Sequence, residues 1–340
     1  MNKFTKIFDI KIPIMLAPMA GAAGSRLAVE VSNAGGLGLI AGGFDKNSST
    51  LVQQLTEAKN LLNHNKSSNA STVLPVGIGL VSFHLNKHPE MLYDALKFFP
   101  KVVWFSFGDC REYVKYTRAA SPLSKIVVQI QTLEEAIKVV NECDIDAIVC
   151  QGSESGGHGA IHNGSVMTLV PEVVDAVGEK TVVLAAGGIM DGRGLAASLT
   201  LGANGVVMGT RFISTPESLS NPKIKETLVR LKDGGSTTVR TDIFDKLGKV
   251  PWNNEIYNGR AIRNLTTSED EGSHFTEEKL SSLRDRYQGA VQHGDYEYGV
   301  IYAGAGVGLI HNIIPAKDIV TETYSQALEI LRKLSQTGSH

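Results

Sequence analysis

Apolar residues in this chain fall in short continuous runs at 12–17, 38–41, 73–79, 102–105, 126–130, 145–150, 181–186 and 205–208. Between these runs the pattern turns helical, with apolar positions recurring every three or four residues. Runs this short, without polar alternation, predict strands buried on both faces, which is the habit of a parallel sheet. Thr132-Leu-Glu-Glu135 reads as a capping box opening a helix that runs to Val140. Asp191 reads as the cap of a helix over 192–201. Eight strand–helix units in succession close most economically as a (β/α)8 TIM barrel, the α/β architecture expected here.

After the eighth run the pattern changes. Residues 214–298 are polar and helix-like, carry Trp252, Arg260 and an acidic stretch at 268–271, and end in Tyr296-Glu-Tyr298-Gly299. The barrel pattern resumes at 300–310, and 316–333 reads as a closing helix. The expected division is a barrel of residues 1–213 and 299–340 with a smaller, mainly helical insertion, 214–298, after strand 8. An insertion there lies above the carboxyl ends of the strands, where barrel active sites collect. It reads equally as a substrate-covering subdomain and as a dimer-forming one. Residues 63–71 read as a polar loop.

Composition narrows the function. The 340 residues are 42% hydrophobic with a net charge of −2, so there is a large core and no basic field to hold nucleic acid or an anionic membrane. No apolar run approaches the roughly 18 residues that span a bilayer. The N-terminus alternates charged and apolar residues, without the apolar region of a signal peptide. The three cysteines, Cys110, Cys143 and Cys150, form no Cys-x-x-Cys pair and suggest a reducing compartment. We expect a cytoplasmic protein.

Three strand ends carry chemistry. The first is Gln151-Gly-Ser-Glu-Ser-Gly156-Gly-His158, after the sixth run. The others are Gly187-Gly188 after the seventh run and Gly209-Thr210 after the eighth. Bare glycine amides at the last two strands of such a barrel commonly hold a phosphate. The same glycines also suit tight turns that need positive φ. There is no Rossmann fingerprint and no Walker loop, so a phosphate would belong to a mononucleotide such as FMN or to a phosphorylated substrate. Arg211 should alternate away from Thr210 into a structural ion pair. His158, with Glu154 near it in sequence, could exchange a proton at neutral pH, or be a solvated loop histidine. A metal at His158 and His162 is not expected, because the glycines between them preclude a dependable helix. Leu16-Ala17-Pro18-Met19 gives a flat backbone and a soft thioether that could pack under a planar ring, or a plain turn.

Together these residues resemble the nitronate monooxygenase family, once called 2-nitropropane dioxygenases, which are FMN-dependent barrels. The resemblance runs from Ala17-Pro-Met19 through Ser32-Asn-Ala-Gly-Gly-Leu-Gly38, the Gln151 to His158 loop, Ala185-Ala-Gly-Gly188 and Gly209-Thr210 to Tyr302-Ala-Gly-Ala-Gly-Val-Gly308. It implies that Ala17, Pro18 and Met19 pack on the isoalloxazine, that Gln151 hydrogen-bonds it and that Gly156 lies close. It further implies that Gly187, Gly188, Val207, Met208, Gly209 and Thr210 form the phosphate region, with His158 as the catalytic histidine. Tyr298 and Tyr302 are the expected substrate-pocket residues. The chain departs from the family pattern at Pro75-Val-Gly-Ile-Gly79, where many relatives place an asparagine against the flavin, and at Ser155, where alanine is usual.

The implied activity is FMN-dependent oxidation of alkyl nitronates or nitroalkanes by O2, giving carbonyl compounds and nitrite. The partners expected are a small-molecule substrate and O2, with a homodimer as the protein assembly in view. The competing readings are an NAD(P)H:quinone reductase or enoyl-thioester reductase on the same fold, and a flavin-binding protein without turnover.

Overall fold

The computed structural model describes residues 2–63, 73–270 and 277–337. The polar loop expected at 63–71 falls, from 64 onward, outside these residues, as does Glu271. All eight apolar runs form strands. In chain order they are β1 (Ile14–Leu16), β2 (Leu39–Ala41), β3 (Leu74–Val81), β4 (Pro100–Ser106), β5 (Lys125–Ile130) and β6 (Ala147–Gln151). After a short extra strand, β7 (Gly157–Ala160), come β8 (Val182–Ala186) and β9 (Gly205–Met208). The eight parallel strands follow the order β1-β9-β8-β6-β5-β4-β3-β2. A parallel bridge between Met15 and Leu37 closes the ring, with the Leu16 amide donating to the Leu37 carbonyl at 2.9 Å.

Strand alternation divides the core in two. Met15, Val102, Trp104, Val127, Val149, Leu184 and Val207 pack together inside the barrel. Their neighbours Ile14, Val103, Ile126, Ile148, Val183 and Val206 join the helices outside. The amino end of the barrel is plugged by a helix that the sequence pattern did not reveal, Lys3–Ile7, capped by the Asn2 side chain. Its Phe4 and the following Phe8 are fully buried against the interior cluster.

Both helix caps read from sequence form. Thr132 accepts from the Glu135 amide, and Glu135 in turn accepts from the Gln131 amide. Asp191 accepts from the Arg193 amide.

The insertion holds more than helices. Besides the helices Pro222–Arg230, Ile243–Gly248 and Glu277–His293 it carries β10 (Thr238–Thr241) and β11 (Tyr257–Ile262). β11 pairs antiparallel with β10 on one side and with β7 on the other, setting Gly259 opposite His158. The Arg240 guanidinium fastens this small sheet by donating to the carbonyls of Gly159 at 2.9 Å and Ala160 at 3.0 Å. Burial, with Arg260 nearby, pushes its pKa down to about 10, so it stays charged at neutral pH.

Residues 300–310 do not resume the barrel. Tyr302 makes one bridge to Ala261 and a 3-10 turn follows at Ala305–Leu309. The helix Ala316–Thr337 then packs on Gly192–Thr200. Among the described residues no helix is long and apolar enough to cross a membrane.

Candidate active site

The barrel opens at its carboxyl end into a cavity of about 580 Å³, bordered by the tips of β1, β3, β4, β6, β8 and β9. That size lies within the range of small-molecule and cofactor sites. Ala17, Pro18, Met19, Gln151, Gly156, His158, Gly187, Gly188, Val207, Gly209, Thr210 and Tyr302 all border it.

Two expected residues do not. Met208 follows Val207 on β9, so alternation turns it outward into the helix-facing core. Tyr298 packs instead with Ile243, Phe244 and Leu247 of the insertion, and the Arg286 guanidinium lies 5.5 Å from its ring centre.

The floor is set by β1. A Cβ on Gly79 would stand 2.2 Å from Pro18 Cβ, so glycine at the end of β3 is what lets Pro18 cross the mouth. A Cβ on Gly209 would meet Met19 Sδ at 3.3 Å and Ala17 Cβ at 3.4 Å. Glycine there keeps the corner between the floor and β9 open. Gly187 and Gly188 have φ of +127° and +68°, so their turn requires glycine whatever they bind. The Thr210 hydroxyl accepts from the Gly304 amide at 3.0 Å, which leaves its own proton to donate.

Gln151 is held from three sides. Its Oε1 accepts from the Gln129 side-chain amide at 3.0 Å and from that of Gln131. Its Nε2 donates to the His158 carbonyl at 3.0 Å, leaving one N–H for a ligand. Glu154 turns away from His158 and accepts from Ser165 Oγ and the Val166 amide at the start of a helix. Arg211 makes no ion pair among the described residues; it donates to Asn312 Oδ1 at 2.6 Å.

His158 is not in a flexible glycine loop. It sits in β7, fixed by the pairing to β11. Its ring stacks on Trp252 with centroids 3.8 Å apart and planes 6° from parallel. Its Nε2 lies 2.9 and 3.0 Å from the two carboxylate oxygens of Asp245, which is 3% exposed. Tyr302 lies 5.3 Å from the imidazole, centroid to centroid. Burial, reinforced by Asp245, pushes the Tyr302 phenol well up, so it stays neutral.

Sequence reasoning missed Asp245, Trp252 and Gln129. Asp245 is 87 residues from His158 in the chain, and nothing local marks it, because it reaches the site only when the insertion docks. Trp252 meets Phe44, Phe83, Phe107 and Tyr257 edge to face, a cluster drawn from four separate segments.

The chain matches the nitronate monooxygenase family model over residues 2–325. It is 36% identical to the nitronate monooxygenase npaC of Metarhizium robertsii, over 94% of this chain and 92% of that protein. It is 33% identical to the nitronate monooxygenase of Neurospora crassa, covering 95% and 91%. Among solved structures it resembles FabK from Thermotoga maritima, with a TM-score of 0.82, 29% identity and 99% of each chain covered. It also resembles the nitroalkane oxidase of Streptomyces ansochromogenes, with a TM-score of 0.78, 25% identity and 98% and 99% covered.

Proposed function

Since the chain belongs to the nitronate monooxygenase family, we propose that it oxidises alkyl nitronates, and nitroalkanes after deprotonation, with O2 and bound FMN, giving carbonyl compounds and nitrite. The observation that carries this reading is a shared cavity. His158, the floor Ala17–Pro18–Met19 and the corner at Gly209 and Thr210 open onto the same space.

The residues fit a flavin mononucleotide. The floor is apolar, the corner at Gly209 is one that a Cβ would fill, and two cavity-lining indoles, Trp104 and Trp252, have buried Nε1 atoms without a partner among the described residues. Gly187, Gly188, Gly209 and Thr210 would hold the phosphate, and the free N–H of Gln151 would reach the ring system. Bound there, FMN supplies the electron acceptor that links substrate oxidation to O2. The protein's own part is to place the substrate carbon beside His158, which takes its proton or, as imidazolium, holds the negative nitronate oxygens. Residues 214–298 act as the cover in this reading, since Asp245, Val250 and Trp252 help to enclose the cavity.

The cradle makes a prediction about the cofactor. Both tryptophans of the chain line the cavity, so FMN added to flavin-free protein should quench most of the intrinsic fluorescence. Riboflavin lacks the phosphate and should bind about 100-fold more weakly, the equivalent of one strong charge-assisted hydrogen bond. Equal affinity for both ligands would remove the phosphate from the site.

The rival reading is a reductase fed by NAD(P)H, favoured by the likeness to FabK. Anaerobic mixing of the flavin-loaded protein with propionate 3-nitronate, and separately with NADH and NADPH, separates the two. Bleaching by the nitronate alone supports the oxidation. Bleaching by a nicotinamide alone overturns it.

A further inference from the structure

The buried carboxylate of Asp245 helps to enclose the cavity, but no chemistry has been assigned to it. It is 3% exposed, and among the described residues the His158 imidazole is the side chain's sole hydrogen-bond partner. Leaving a carboxylate unpaired at such depth costs several kcal/mol, so the pair must share a proton or a charge. Both oxygens address Nε2, and no hydrogen bond reaches Nδ1 among the described residues.

We propose that Asp245 is a positioning residue for His158, holding the ring proton on Nε2 and leaving Nδ1 as the nitrogen that accepts the substrate's proton. This rests on the function proposed above for the identity of that substrate and for His158 as its base. The physical logic is that of any base whose tautomer is fixed by a third group. Because Asp245 belongs to the insertion and His158 to the barrel side of the β7–β11 pairing, the base is complete only when the two parts are docked.

The surroundings leave Asp245 as the group that sets this charge balance. Tyr302 and Tyr287 both feel Asp245, and burial keeps their phenols neutral. Arg240 is engaged with the carbonyls of Gly159 and Ala160, and Arg260 with the Ser153 carbonyl. On the same helix as Asp245, Lys246 pairs with Asp242.

The test reads the ring directly. ¹⁵N NMR of imidazole-labelled protein, with His158 assigned among the nine histidines by its loss in His158→Asn, reports the tautomer in the flavin-loaded wild type. The expected result is a neutral ring protonated at Nε2. In Asp245→Asn that preference disappears, because the side-chain amide no longer requires a donor at Nε2. The plateau of kcat/KM for nitroethane drops by about 100-fold, while ethylnitronate, already deprotonated, loses less than about 10-fold. Asp245→Glu, which keeps the carboxylate, restores part of both. A wild-type ring protonated at Nδ1 overturns the proposal without any variant, as does an Asp245→Asn protein with unchanged tautomer. A protein with the expected NMR behaviour that oxidises neither nitroethane nor ethylnitronate refutes the function proposed above and leaves the assignment of Asp245 standing.

Discussion

Replacing His158 by Asn should leave the flavin bound and lower kcat/KM for a neutral nitroalkane by about 10²- to 10⁴-fold, the range of general-base catalysis. Asn is too short to reach Asp245 from where Nε2 stood, but it still sits in β7 opposite Gly259, and that backbone pairing is unchanged. What it cannot do is take a proton at any working pH. A preformed nitronate needs no deprotonation, and its oxidation should fall much less, losing only the electrostatic help of an imidazolium. The measurement is kcat/KM for nitroethane and for ethylnitronate in both proteins, with flavin content determined alongside. A variant as active as wild type on nitroethane would take His158 out of the mechanism. A variant without flavin would instead make His158 part of the cofactor site.

The barrel was legible in the sequence because its signal is local. Each strand is a compact apolar run, and each is buried on both faces by its neighbours, so no long-range information was needed to place it. The glycines at 187, 188 and 209 were legible for the same reason, as strand-end punctuation. What stayed hidden depends on docking. β7 is Gly157-His-Gly-Ala160, a sequence with almost no strand propensity of its own; it becomes a strand because β11 arrives from about 100 residues away to pair with it. Asp245 and Trp252 arrive on the same insertion. Tyr298 and Tyr302 show the limit from the other side. Two tyrosines four apart look interchangeable in sequence, yet the bridge from Tyr302 to Ala261 turns Tyr302 to the cavity, while Tyr298 joins the insertion's own apolar cluster.

The two glycines before His158 should respond oppositely to what their sequence similarity suggests. Gly156 has an ordinary backbone conformation but no room. A Cβ there would lie 2.4 Å from the Gly304 amide nitrogen and 2.5 Å from the Ala303 carbonyl carbon, both backbone atoms that cannot swing aside. Gly157 is the reverse, with φ of +72° and nothing within 4 Å of where a methyl group would stand. Gly157→Ala should therefore cost only about 1 kcal/mol, the strain of placing an L side chain in the left-handed region. Gly156→Ala should cost about 3 kcal/mol, the upper end for forcing an atom into a filled site. The damage should also spread. Pushing residues 303 and 304 away breaks the bond from Gly304 to Thr210 and shifts the neighbouring Tyr302, so flavin retention and turnover fall together with stability. Thermal unfolding of both variants, with flavin content read on the same samples, decides the matter. If Gly157→Ala proves the more damaging of the two, the close approach of 303–304 to this loop is not what Gly156 is there to permit.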